Sequence, residues 1–204
     1  TALGAAETGN ISIGYNSMST MDEGSGGTIN YNIALGVQAL SGADLGSGTE
    51  DISQNIAIGT DALRLVSGDA QTGTIAIGRQ SLTALTSGSG NIALGYEAGK
   101  LMTDNTNNTI IGYQAFVAAD AGENDNVVIG HLAGSANNSA STDGNVLIGK
   151  NAGVGGAGLM NSCIYIGKNA GENTHVRNQY DNVFIGRGAA GIAFGGQSDN
   201  NVGV

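Results

Sequence analysis

The chain has 204 residues, of which 36 are glycine, none is proline and 12% are charged. Average proteins contain about 7% glycine and about a quarter charged residues, so an ordinary globular enzyme domain is excluded. The net charge of −10 lacks the basic footprint of a nucleic-acid binder. The apolar runs are far shorter than the roughly 18 residues of a membrane helix, so membrane insertion is not expected. The single cysteine permits no intrachain disulfide.

One short motif recurs along the chain: asparagine, an aliphatic residue, a variable residue, isoleucine or leucine, glycine, two variable residues, then alanine or serine. Its ten glycines are Gly14, Gly36, Gly59, Gly78, Gly95, Gly112, Gly130, Gly149, Gly167 and Gly186. The first spacings are 22 and 23 residues, and the later ones are 17 to 19. We expect one repeat array over residues 1–204, with irregular long coils in 1–78 and regular 17–19-residue coils in 78–204. The motif is cut at both ends, which suggests a segment of a longer chain.

Each motif predicts a short strand followed by a sharp turn, because its apolar residues alternate with period two and Asn, Gly, Ser, Thr and Asp flank them. Strands that recur at a fixed period predict an all-β fold, a parallel β-helix or β-roll solenoid. We expect the first and third strand residues to point inward and the glycine to allow a corner with positive φ. The asparagines are expected to stack their amides from coil to coil.

The variable middle residue of each strand would then point outward, yet it is apolar in the later coils. These large apolar residues are Ile110, Val128, Leu147, Tyr165 and Phe184. An exposed apolar stripe marks an interface, which predicts a homotrimeric fibre of intertwined or side-by-side chains. The alternative is a wider coil that folds this face inward.

The run Asn-Ile-Ala-Ile-Gly-x-x-Ala-Leu at residues 55–63, nearly repeated at 32–40 and 91–99, resembles the repeat of bacteriophage tail fibres. It is also similar to the head repeat of YadA-type trimeric autotransporter adhesins. The resemblance covers essentially the whole chain and implies a homotrimeric, β-rich fibre for structure and attachment, located on a virion or outside the cell. Its implied partners are itself, other virion or fibre segments, and a host surface glycan or outer-membrane receptor. Adhesin heads have shorter coils, so the tail fibre is favoured and the bacterial-surface adhesin is the alternative.

No residue pattern predicts catalysis, a cofactor or a metal site. His131 and His175 lack metal-ligand spacing, and Cys163 replaces a motif asparagine, which favours a small buried thiol. The Asp and Asn clusters at 104–108 and 123–126 offer oxygens to calcium but match no calcium-binding loop, so solvated turns are favoured.

The stretch Ile-Gly-x-x-Ala also resembles the hexapeptide repeat of left-handed β-helix acyltransferases. That fold needs an aliphatic residue at every sixth position, but the steps from Ile129 fall on Ser135 and Ser141. Acyl transfer is therefore a remote alternative.

The residues that directly follow the motif glycines form a further column, here called the post-glycine column. In its later part, aromatic rings give way to cations, which suit the rings and acidic groups of a glycan. The candidate glycan contacts are Tyr96, Tyr113, His131, Lys150, Lys168 and Arg187. The alternative is a solvated face whose cations offset neighbouring carboxylates.

Overall fold

The computed structural model describes residues 8–19, 27–42, 51–64, 71–139, 142–155, 158–172, 178–190 and 198–203. These ranges contain seventeen short strands and no helix, and hence no helix of the length and hydrophobicity that a membrane span requires. The strands pair in parallel from coil to coil. The predicted all-β parallel solenoid is therefore confirmed.

One long parallel sheet of eleven strands runs along the solenoid. Its strands are β1 (Ile11–Ile13), β3 (Ile33–Leu35), β5 (Ile56–Ile58), β7 (Ile75–Ile77), β8 (Ile92–Leu94), β9 (Thr109–Ile111), β10 (Val127–Ile129), β11 (Val146–Ile148), β13 (Ile164–Ile166), β15 (Val183–Ile185) and β17 (Val202–Gly203). Equivalent motif positions pair in register, as in Val128 with Leu147. Each coil therefore places the same motif residue directly above that of the coil before.

Two smaller parallel sheets of three strands each lie elsewhere on the coils. The first contains β2 (Thr28–Asn30), β4 (Asp51–Ser53) and β6 (Gln71–Thr72). The second contains β12 (Met160–Asn161), β14 (Gln179–Tyr180) and β16 (Ser198–Asp199).

The expected orientation of the strand residues in the long sheet is wrong. From β3 to β15 the middle residue points inward and is buried by its own chain, whereas the first and third residues are half-buried or exposed. The predicted interface column is therefore part of the core: Ile110, Val128, Leu147, Tyr165 and Phe184. The inward alternative is confirmed, because strand alternation places the middle residue on the same side as the motif asparagine, which is buried.

In several coils the size of the middle strand residue is compensated by the residue four positions after the motif glycine. The coil with Ile110 and Phe116 and the coil with Ala93 and Gly99 do not follow this pattern. In early coils a strand alanine is combined with a leucine there: Ala34 with Leu40, Ala57 with Leu63, and Ala76 with Leu82. In later coils Leu147 is combined with Gly153, and Tyr165 with Gly171. A Cβ on Gly153 would lie 2.6 Å from Leu147 Cδ2, and one on Gly171 would lie 2.6 Å from Tyr165 Cε2. The glycines therefore leave room for the larger strand side chains.

The motif glycines form the predicted corners, all with φ between +129° and +142°. The stacking of the coils makes glycine necessary at these corners as well as favourable. A Cβ on Gly149 would lie 2.5 Å from the carbonyl oxygen of Gly167 in the next coil. Because that neighbour is backbone, it cannot move aside as a flexible side chain would.

The motif asparagines form the predicted amide ladder. Asn126 Nδ2 donates to Asn108 Oδ1 at 3.1 Å and to the Thr142 carbonyl at 2.8 Å. Its own Oδ1 accepts from the backbone N–H and the amide of Asn145, both at 3.0 Å. Each buried amide thus satisfies backbone groups of the adjacent coil. Thr74 and Cys163, which stand at this position, have no amide to continue the ladder.

Candidate interaction surface

The outward face of the long sheet carries an aliphatic strip, here called the outward band, formed by the first and third strand residues. It comprises Ile33, Leu35, Ile56, Ile58, Ile75, Ile77, Ile92, Leu94, Thr109, Ile111, Val127, Ile129, Val146, Ile148, Ile164, Ile166, Val183 and Ile185, preceded by Ile11 and Ile13 in β1. Ile92, Leu94 and Ile185 are 37%, 39% and 40% exposed. Eleven strands spaced about 4.8 Å apart make the face roughly 50 Å long. Sequence analysis missed this surface because it assigned these residues to the interior.

The post-glycine column borders one side of the outward band. Its backbone continues the ladder, since Gln114 N–H donates to the Tyr96 carbonyl at 2.8 Å and Asn151 N–H donates to the His131 carbonyl at 3.0 Å. The structure therefore brings all six candidate glycan contacts into one line, one coil apart. Glycan binding itself stays a prediction.

The aromatic part of the column is a continuous stack. Tyr96 and Tyr113 have ring centroids 5.1 Å apart at 12°, and Tyr113 and His131 are 5.4 Å apart at 14°. The Arg79 guanidinium lies 5.7 Å from the Tyr96 centroid and donates to the Tyr96 hydroxyl at 3.1 Å. The stacked faces of Tyr96 and Tyr113 are occupied by neighbouring rings, and contact of these two residues with a glycan stays a prediction. The coil spacing, which is close to that of stacked rings, explains the arrangement.

The cationic part of the column comprises Lys150, Lys168 and Arg187, which are all exposed. The ion pairs found within the described ranges are Arg64–Asp61 at 3.7 Å and Lys100–Glu97 at 2.9 Å. In that part of the chain, therefore, the three column cations have no carboxylate at ion-pair distance. Within the described ranges, the structure therefore gives no support to the alternative in which neighbouring carboxylates offset the charges of these three cations.

The opposite side of the outward band has carboxylates in the later coils. They stand one or two positions before the motif asparagine and are here called the acidic edge: Asp125, Asp143 and Asp181. Asp125 and Asp181 are exposed, whereas Asp143 is half-buried and its Oδ1 accepts from Asn124 N–H at 2.7 Å. Once the strand orientation is known, alternation places Asp125 and Asp181, each one position before a buried asparagine, on the outward side.

The predicted oxygen-rich turns use their polar groups between coils. Asp104 Oδ1 accepts from Gly122 N–H at 2.9 Å, and Asn105 Nδ2 donates to Glu123 Oε2 at 2.7 Å. Glu123 is fully buried, and its Oε1 has no hydrogen-bond partner among the described residues. Burial raises the pKa of the Glu123 carboxyl to about 7. Among the described residues, no three His, Cys, Asp or Glu side chains are grouped so as to hold a metal ion.

Cys163 is buried, as predicted, and burial raises the pKa of its thiol. His175 lies outside the described residues. No protein-family model, curated protein or solved structure matches the chain. The likeness to fibre repeats therefore depends on the motif residues themselves.

Proposed function

We propose that the chain is a segment of a phage tail fibre that forms a homotrimeric β-solenoid shaft and serves attachment to a host cell. The observation that carries this proposal is the outward band, a long apolar surface that one chain leaves partly exposed. Apolar patches of more than a few hundred Å² are rare on monomers and mark interaction sites. The tail-fibre resemblance of the motif supports the same function.

The shape of the band favours lateral association of parallel chains. It is straight and runs along the solenoid, so a cyclic ring of copies around a parallel axis would cover every band. The strands of the band have three residues each at about 3.3 Å per residue, so the band is roughly 10 Å wide and 50 Å long and offers about 500 Å² per copy. Together with the columns on its two sides, it approaches the roughly 800 Å² per partner of a standard interface.

The assembled shaft would connect other fibre segments and hold a receptor-binding region at the host surface. A head segment of a trimeric adhesin on a bacterial surface would use the same architecture. The parent gene separates the two: baseplate genes nearby indicate a phage, whereas an encoded membrane anchor indicates an adhesin.

The test is the solution mass of the wild-type chain and of two matched variants. We expect a trimer of roughly 60 kDa, three times the 20.2 kDa chain, in light scattering. Ile129→Lys with Ile148→Lys places charge on the outward band, and should give a folded 20.2 kDa monomer with an unchanged circular dichroism spectrum.

The control is Leu147→Lys, which places the same charge inside the coil and should unfold the solenoid rather than only dissociate it. A wild-type chain that stays monomeric at high concentration would refute the trimer.

A further inference from the structure

Charges on the two sides of the outward band occur in the same coils. Two later coils combine a carboxylate on the acidic edge with a cation in the post-glycine column, Asp143 with Lys150 and Asp181 with Arg187, and a third combines Asp125 with His131. The coil of Lys168 has no carboxylate on the acidic edge. The six preceding coils are neutral on both sides except for Arg79, which is engaged with Tyr96. Most coils that have an acidic or basic residue on one side of the outward band therefore also have one on the other side.

These paired charges cannot meet within one chain. Asp181 and Arg187 lie beyond opposite ends of β15, and its three extended residues alone span roughly 10 Å, which is more than an ion-pair distance. Neither residue is in an ion pair within the described ranges. In the part of the chain that the structure describes, therefore, no residue neutralises them.

A second copy related by rotation about the fibre axis can supply the opposite charges. Such a rotation does not shift the chains along the fibre axis, so each coil lies beside the equivalent coil of the neighbouring copy. The left side of one sheet then adjoins the right side of the next. We propose that the post-glycine column of one copy pairs with the acidic edge of the neighbouring copy, coil for coil, in the trimer proposed above. The occupant of both charged edges is thus another copy of this chain.

This pairing would set the direction and register of the chains more than their affinity. Exposed ion pairs contribute little binding energy, whereas mismatched charges discriminate strongly between arrangements. An antiparallel neighbour would place the charged late coils of one copy beside the neutral early coils of the other. The outward band is nearly uniform along its length, so the aliphatic side chains alone discriminate poorly between registers.

The test reverses the charges separately and together in the full chain. The column variant is Lys150→Glu with Arg187→Glu, the edge variant is Asp143→Lys with Asp181→Lys, and the swapped variant carries all four changes. At low ionic strength, about 50 mM, we expect each separate reversal to weaken trimer association at least tenfold by light scattering. The swapped variant should associate within twofold of wild type, because every junction again joins opposite charges.

Two controls separate pairing from misfolding and from net charge. Circular dichroism and melting curves show whether each variant keeps the solenoid. Asp104→Lys with Glu172→Lys changes the net charge as the edge variant does but lies on neither side of the band, and should leave association unchanged.

The outcomes distinguish this inference from the proposed function. A wild-type trimer whose folded variants all associate like wild type would overturn the charge pairing and leave the trimer standing. The charge pairing would also be overturned if the column variant assembled normally but lost binding to an acidic glycan array. The post-glycine column would then be a glycan-binding site. A monomeric wild type would overturn both.

Discussion

Asn126 illustrates how single polar side chains hold adjacent coils together. Its buried amide bonds to Asn108 and Asn145 and to the Thr142 carbonyl. Replacement by alanine leaves buried backbone groups of the next coil without partners, so we expect Asn126→Ala to lower the free energy of unfolding by about 1–3 kcal/mol. Denaturant unfolding measures the loss.

The matched control is Asn107→Gly, on the exposed turn before the ladder position. Glycine occupies the equivalent site at Gly73 and Gly90, and Asn107 has a positive φ of 59° that glycine adopts readily. This variant should change the stability little. Equal losses for the two variants would show that the amide ladder has no special role.

Glu123 gives the solenoid a distinct pH dependence. Its folded-state pKa of about 7 lies above the ordinary 4.5, so the fold favours the protonated carboxyl. The associated stability is fully present below about 4.5 and is lost as the pH rises through about 7. Asp120, whose charge also raises this pKa, adds to the penalty for ionisation.

We expect Glu123→Gln to melt close to wild type at pH 4 and at a clearly higher temperature than wild type at pH 8. The glutamine keeps an acceptor for Asn105 and cannot ionise. Thermal melts of both chains across this pH range test the sign. A difference that is constant with pH would show that folding does not change the pKa of the Glu123 carboxyl.

At the scale of the strand and coil, the motif predicted the period, the parallel stacking, the glycine corners and the asparagine ladder. These follow from local chemistry: only glycine suits the stacked corner at Gly149, and a periodic amide naturally bonds to its equivalents. The motif did not predict correctly which strand residues point inward and which point outward. Both faces of each strand are apolar, so alternation alone fails to identify the inward face.

A signal for the orientation is nevertheless present in the sequence. The small strand residue Ala57 accompanies Leu63, whereas the large Tyr165 accompanies Gly171. In these coils the two positions exchange volume, which indicates that they share one interior, whereas Ile110 with Phe116 and Ala93 with Gly99 carry no such signal. The candidate surface was predictable in part: the common register aligns the post-glycine column, but the ring stacking depends on side-chain conformations that no motif specifies.

This exchange of volume predicts a rescue within one coil. Tyr165→Ala should cost about 3–5 kcal/mol, because it opens a cavity in the core. Adding Gly171→Leu recreates the alanine–leucine combination of the early coils and should recover a large part of the loss. Leucine tolerates the conformation, since Leu63 has a φ of 48°.

A double-mutant cycle by chemical denaturation measures the coupling. Gly171→Leu alone is the control and should destabilise the chain, because its side chain would collide with Tyr165. Additive losses would contradict the shared interior.

At the scale of the whole molecule, each coil contacts mainly its neighbours, as in other solenoids. Deletion of residues 113–130, one full period between Gly112 and Gly130, joins equivalent corners and preserves the register. We expect this shorter chain to fold and to melt cooperatively. Deletion of residues 122–130 removes half a period and should abolish folding, as judged by circular dichroism. Similar behaviour of the two deletions would show that the coil is not the structural unit.

The ladder of amides also bears on how such a shaft responds to pulling. The bonds between coils, such as Gly149 N–H to the Ile129 carbonyl at 2.8 Å, run along the long axis of the solenoid. Tension along that axis therefore stretches the coil junctions in series, and every junction experiences the same force. The first to open should be the junctions that follow Thr74 and Cys163, where the ladder lacks a side-chain amide. In force spectroscopy, Thr74→Asn combined with Cys163→Asn should then raise the rupture force of a tethered chain, although both positions lie far from either point of attachment.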